Sequence, residues 1–150
     1  MTRRWRFRET GDAKLSLNAR SYAFDAGVIF LFYAGVPSVR AFFDRVFAGR
    51  ASGFVSEVNL AEFYYKTAEK KGVDVAEIQY RQVRGSPLKV VAPDEDTTRE
   101  AALWKFRNRT LSLADCFAIA TWRERAQILL TTDSELAKLK GVKSEYISVP

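Results

Sequence analysis

Short apolar runs of four or five residues alternate along this chain with longer segments in which apolar positions recur every third or fourth residue. Ser21-Tyr22-Ala23-Phe24, Gly53-Phe54-Val55-Ser56, Leu88-Lys89-Val90-Val91, Gln127-Ile128-Leu129-Leu130-Thr131 and Tyr146-Ile147-Ser148-Val149 read as strands, each bounded by Gly, Pro, Asp or Ser. Between them the spacing predicts helices over residues 28–34, 38–48, 59–71, 73–84, 94–106 and 134–140. Val39, Phe42, Phe43, Val46 and Phe47 form the apolar face of the second, and Asn59 is a candidate cap for the third, with Glu62 at capping-box spacing. Strands alternating with helices predict an α/β domain: three layers, α/β/α, around a five-stranded, mainly parallel sheet covered on both faces.

Residues 110–122 carry a single acid, Asp115, among small and apolar neighbours. Leu113, Cys116, Phe117 and Ala120 share a helical face, and Ala118, Ile119 and Trp122 fill much of the rest, the mark of a buried helix. Asp115 could complete a capping box with Ser112 and do nothing more. An ionised carboxylate so near a core is nevertheless costly unless something compensates it. Three further acids fall in comparable places: Asp25 after the first strand, Glu62 in the helix after the second, and Asp133 after the fourth. Each could be a helix cap. Ligands of parallel α/β sheets, however, bind outside the carboxyl ends of the strands, so the same acids are expected to meet at one edge.

Carboxylates about 5 Å apart repel by about 3 kcal/mol per pair at an effective dielectric of 20. A divalent cation relieves that repulsion. All-oxygen donors suit Mg²⁺ or Mn²⁺, and the matching reaction is phosphodiester hydrolysis by activated water.

Composition narrows the chemistry. Hydrophobic residues make up 47% of the 150, which excludes disorder for the bulk of the chain and suits one domain. The 24 Lys and Arg against 18 Asp and Glu leave a net charge of +6, favouring a polyanionic partner, nucleic acid first. With no histidine, Ser–His and Cys–His catalysis and imidazole metal sites are excluded; with Cys116 alone, so are thiolate sites and an internal disulfide. The lone cysteine fits a reducing cytoplasm, and beside Asp115 it reads as core.

Residues 1–20, with Arg3, Arg4, Arg6, Arg8, Lys14 and Arg20, read as a basic N-terminal arm preceding a domain over 21–150. Its Arg3-Arg4 pair is superficially like an export signal, but charges continue to Arg20, and the apolar run at 22–36 contains Asp25. That run is also shorter than the roughly 20 residues of a membrane span, so no membrane association is expected. Lys105, Arg107 and Arg109, just before the Asp115 helix, are candidate RNA-phosphate contacts, or simply a solvated helix end. Ser112 and Thr131, beside the acids, join them as candidate substrate contacts. Phe30, Phe32 and Tyr33, with Phe63, Tyr64 and Tyr65, supply more aromatic surface than one core face needs, and the surplus could serve a dimer or partner interface.

The acids and their surroundings resemble a PIN domain of the VapC ribonuclease-toxin type. Phe24-Asp25-Ala26-Gly27-Val28-Ile29 carries the first acid, Ser56-Glu57-Val58-Asn59-Leu60-Ala61-Glu62 the second, Leu111-Ser112-Leu113-Ala114-Asp115-Cys116-Phe117-Ala118-Ile119-Ala120 the third, and Leu130-Thr131-Thr132-Asp133 the fourth. The resemblance implies a ribonuclease site in which Asp25, Glu62, Asp115 and Asp133 are catalytic and hold Mg²⁺ or Mn²⁺. It also implies an RNA substrate, a homodimer and a cognate antitoxin. Thr132 stands where the family often has asparagine, and Asn59 where a hydroxyl is frequent. An RNA-processing nuclease without an antitoxin fits the same residues. From another class, so does a non-catalytic acidic pocket or receiver-like module, although a receiver needs a lysine at the end of a late strand and Leu130-Thr131-Thr132 offers none.

Overall fold

The computed structural model describes residues 19–150, so all but Ala19 and Arg20 of the expected basic arm lies outside the described residues. The elements follow in the order β1 (Ser21–Phe24), α1 (Ala26–Tyr33), α2 (Pro37–Phe47), β2 (Ser52–Ser56), α3 (Glu57–Lys71), α4 (Val73–Gly85), β3 (Lys89–Val91), α5 (Glu95–Arg107), α6 (Leu113–Arg125), β4 (Ile128–Thr131), α7 (Ser134–Ala137) and β5 (Ser144–Tyr146).

The five strands form one sheet in the order β3-β2-β1-β4-β5, and every neighbouring pair is parallel. The chain steps outward from β1 through β2 to β3, then crosses back to β4 on the other side of β1. Right-handed crossovers running in opposite directions place their helices on opposite faces. The buried side chains divide accordingly. Tyr22, Phe24, Ile128 and Leu130 face a core built with α1, α2, α3 and α4, while Ala23 and Leu129 face a second core built with α5, α6 and α7. The reversal between β1 and β4 is a topological switch point, and a crevice opens at the carboxyl ends of those two strands.

Two boundaries differ from the sequence reading in ways that matter. The third helix begins at Glu57, not Asn59: Ser56, the last residue of β2, is its cap and accepts a hydrogen bond from the Val58 amide at 3.2 Å. Strand thus passes into helix without a loop, and Asn59 turns inward at 1% exposure. The last strand is Ser144–Tyr146, not the segment ending at Val149, because Ser144 pairs with Leu129 and Tyr146 with Thr131. Among the described residues no single helix is long and apolar enough to cross a membrane; α1 and α2, the most apolar pair, meet at 101° and pack into the first core.

Candidate active site

The four acids named from the sequence line one open cleft of about 820 Å³ at the carboxyl edge of the sheet. Asp25 forms its floor. It caps α1, with Oδ1 accepting from the Val28 amide at 2.9 Å and Oδ2 from the Thr132 amide at 3.1 Å. At 4% exposure, burial pushes its carboxyl above the usual range; the Thr131 hydroxyl and the two amides pull it back, and Glu62 adds repulsion. Gly27 makes the Thr132 contact possible, since a Cβ there would stand 2.1 Å from Thr132 Oγ1.

Asp115 does both things the sequence allowed. Its carboxylate accepts from the Ser112 amide at 3.3 Å while Ser112 Oγ accepts from the Asp115 amide at 3.1 Å, a complete capping box. The same carboxylate lines the cleft. Burial pushes it up to about 6, against the opposing Ser112 hydrogen bond, and the charges of Asp133 and Asp25 push the same way. The capping box therefore fixes the rotamer of an acid that two neighbouring carboxylates repel.

Asp133 caps α7, with Oδ1 accepting from the Glu135 and Leu136 amides at 2.8 and 3.2 Å. Its own amide donates to Thr131 Oγ1 at 3.0 Å. Fully buried Thr131 thus lies beneath the cleft and joins Asp25 to Asp133, whereas Ser112 stands on the cleft wall. Glu62, on α3, accepts a hydrogen bond from Lys66 Nζ at 2.7 Å. Asn59 holds α3 against the start of α6: its Nδ2 donates to the Ala114 carbonyl at 3.0 Å, and its buried Oδ1 has no partner among the described residues.

The three cations named from the sequence do not line this cleft. Lys105 donates to the carbonyls of Arg109 and Leu111, which ties down the turn before α6. Arg107 lines a separate groove with Arg99, Glu100 and Arg123, and Arg109 is exposed on that turn. Among the described residues the cation that does line the cleft is Lys66, and exposed Tyr65 accompanies it. Sequence reasoning missed Lys66. Its only signal was a position four residues after Glu62, which reads as an ordinary helix-surface pair.

Most of the surplus aromatic surface is used within the chain. Phe32 stacks on Phe43 with centroids 4.2 Å apart, Tyr33 stacks on Phe63 at 5.7 Å, and Tyr64 packs edge-on against Tyr80. Phe47 and Tyr65 remain exposed.

Among the described residues, no group of three or more Asp, Glu, His or Cys side chains is drawn together tightly enough to hold a metal ion as it stands. The donor chemistry fits a hard divalent cation all the same: four carboxylates share the cleft, and Asp115, raised first by burial, is raised further by the charges of Asp133 and Asp25, which such an ion would offset.

A comparison with curated proteins gives no match. Among solved structures, the fold is similar to VapBC2 from Rickettsia felis bound to a promoter DNA fragment, with a TM-score of 0.69, 12% identity, and coverage of 85% of this chain and 99% of that one. It is also similar to DNA-bound VapBC from Salmonella typhimurium, with a TM-score of 0.66, 16% identity and coverage of 85% and 98%. VapC20 from Mycobacterium tuberculosis, described as a sarcin-ricin-loop-cleaving toxin, gives a TM-score of 0.62 at 16% identity, covering 81% and 98%. The family model described as "PIN domain" matches residues 22–142, a span that includes all four acids of the cleft. The chain belongs to the PIN domain family.

Proposed function

We propose that this PIN domain is a Mg²⁺- or Mn²⁺-dependent endoribonuclease, working in the cytoplasm as a homodimeric toxin that a cognate antitoxin neutralises. The observation that carries the reading is the convergence of Asp25, Glu62, Asp115 and Asp133 on one cleft, whose lining among the described residues offers a single cation, Lys66, paired with Glu62. Burial first, and then Asp133 and Asp25, push the Asp115 carboxyl up to about 6. Asp25, Glu62, Asp115 and Asp133 would hold the ion. A divalent ion there supplies a nucleophilic water and offsets charge on the phosphate under attack.

The chain's own residues do the positioning. Thr131 and the Thr132 amide aim Asp25, and the Ser112 box aims Asp115. Ser112 on the cleft wall is a substrate contact, and Lys105, Arg107 and Arg109 hold RNA phosphates farther along the strand. The net charge of +6 favours that encounter. The antitoxin part of the reading is supported by the similar structures from Rickettsia felis and Salmonella typhimurium, which are VapBC.

The test is cleavage of single-stranded RNA with Mn²⁺, with a chelator, and with Asp115→Asn. Cleavage only by the wild type with metal is expected; metal-independent cleavage refutes the metal dependence, and no cleavage refutes the nuclease. Growth arrest on expression, relieved by the product of a small adjacent reading frame, is expected of a toxin. Cleavage without growth arrest would make the protein an RNA-processing nuclease.

A further inference from the structure

One cation in the cleft has no part in the chemistry proposed so far. Lys66 lies one helical turn beyond Glu62 on α3 and lines the same cleft as Asp25, Asp115 and Asp133. Its Nζ sits 2.7 Å from Glu62 Oε1, and Asp115 also attracts it. The Glu62 side chain is 17% exposed and that of Lys66 50%, so the carboxylate is fixed in the cleft wall while the lysine stem reaches it from solvent. Among the described residues the other pairs at this spacing differ: Arg40, Arg81 and Arg99 meet carboxylates 65%, 40% and 87% exposed, on surfaces away from the cleft. Lys66 is therefore placed between solvent and the Glu62 carboxylate on the cleft wall.

We propose that Lys66 is the resident counter-ion of the cleft: it neutralises Glu62 while no divalent ion is bound, releases Glu62 to an incoming ion, and then pairs with a phosphate of the bound RNA. This rests on the nuclease reading of the cleft. A lysine suits the exchange because its ammonium is a compact charge on a flexible stem, with no fixed fork to break. A divalent ion on Glu62 repels the ammonium, and the substrate phosphate is then the nearest new anion.

Mn²⁺ is titrated calorimetrically, without RNA, into the wild type, Lys66→Met and Lys66→Arg. Removal of the competing charge is expected to tighten Mn²⁺ binding about threefold to fivefold in Lys66→Met, while Lys66→Arg binds no more tightly than wild type. Binding of a hydrolysis-resistant 2′-O-methyl phosphorothioate RNA strand is then measured against salt. With Mn²⁺ present, the wild-type log–log slope should exceed that of Lys66→Met by one phosphate contact, about 0.7; with chelator the two slopes should coincide.

A pair that only stabilises α3 would lower the melting temperature of Lys66→Met and move neither readout. Unchanged or weaker Mn²⁺ binding in Lys66→Met overturns the proposal, as does a slope difference that persists without metal. If wild type takes up no Mn²⁺ at millimolar concentration, the nuclease reading falls first and the role of Lys66 falls with it. If wild type binds Mn²⁺ and cuts RNA while Lys66→Met matches it in both readouts, the role of Lys66 alone is refuted.

Discussion

Replacing Asp115 with asparagine keeps the size of the side chain and an oxygen for the Ser112 amide, but removes the charge. In the folded protein that charge is opposed: the carboxyl is pushed from an ordinary 3.8 up to about 6, first by burial and then by Asp133 and Asp25. A rise of about two units corresponds to about 3 kcal/mol of destabilisation by the ionised form. Asp115 is only half-buried at the rim of an open cleft, and screening there reduces the figure to roughly 1–2 kcal/mol. Against this, a negative charge in the first turn of α6 contributes about 0.3–1 kcal/mol through the helix dipole.

The metal-free Asp115→Asn protein should therefore be more stable than wild type by about 1 kcal/mol near pH 7.5, or roughly 2–4 °C in a domain of this size. The pH dependence carries the sharper signature. Between about pH 4 and 6 the unfolded chain has lost the Asp115 proton while the folded chain still holds it. Wild-type stability must then fall as pH rises through that window, and the variant lacks this contribution. The raised carboxyl of Asp25 acts in the same direction in both proteins, and the repulsion between Asp25 and Asp115, absent from the variant, belongs to the difference. Thermal melts of metal-free protein from pH 4 to 8 decide the matter. A variant less stable than wild type at pH 7.5, or a difference flat across the range, would make Asp115 a helix cap and nothing more.

Millimolar Mn²⁺ should raise the wild-type melting temperature, by about 2.7 kcal/mol of stability at 100 times its dissociation constant, and leave Asp115→Asn nearly unmoved; no shift over a chelator control counts against the metal. Gly27→Ala drives a methyl into Thr132, displacing the amide that holds Asp25, and should lower stability by about 1–3 kcal/mol as well as suppress RNA cleavage. Partial recovery in Gly27→Ala/Thr132→Ala would trace the loss to that contact; normal activity of the single variant would refute it. The Cys116 thiol, pushed up to about 11 by burial and then by the Asp115 charge, should resist iodoacetamide at pH 8 until the protein is unfolded. Labelling of native protein at the rate of a free thiol would contradict the packing of α6.

What the sequence made legible depended on how much of the signal was local. β1 and β4 are buried on both faces, so their apolar runs stand out, and the acids one and two residues beyond their ends, Asp25 and Asp133, fall at the switch point by topology alone. The Ser112–Asp115 box is likewise local, spanning four residues, and was readable as written. β5 was misplaced because it is an exposed edge strand: Glu145 and Tyr146 face solvent, while buried Val142 and Ile147 flank the strand. Asn59 has the chemistry of a cap, and its true partner, the Ala114 carbonyl, is 55 residues away. Lys66 and Arg107 show the same limit from opposite sides. Both look like solvated helix cations, and only the packing of α3 and α5 decides which one faces the acids.

The order of the strands also bears on how the protein is made. A ribosome releases β1, β2 and β3 in sequence, and these three can pair as they emerge. The partner that completes the switch point, β4, is separated from β1 in the chain by more than a hundred residues, and Asp133 follows it. The crevice can therefore close only after β4 has left the exit tunnel, through the long-range pairing that is slowest to form. A nascent chain stalled or cleaved before that point carries Asp25 and Glu62 without the Thr132 amide that orders Asp25 or the acid beyond it. Such fragments lack a complete cleft.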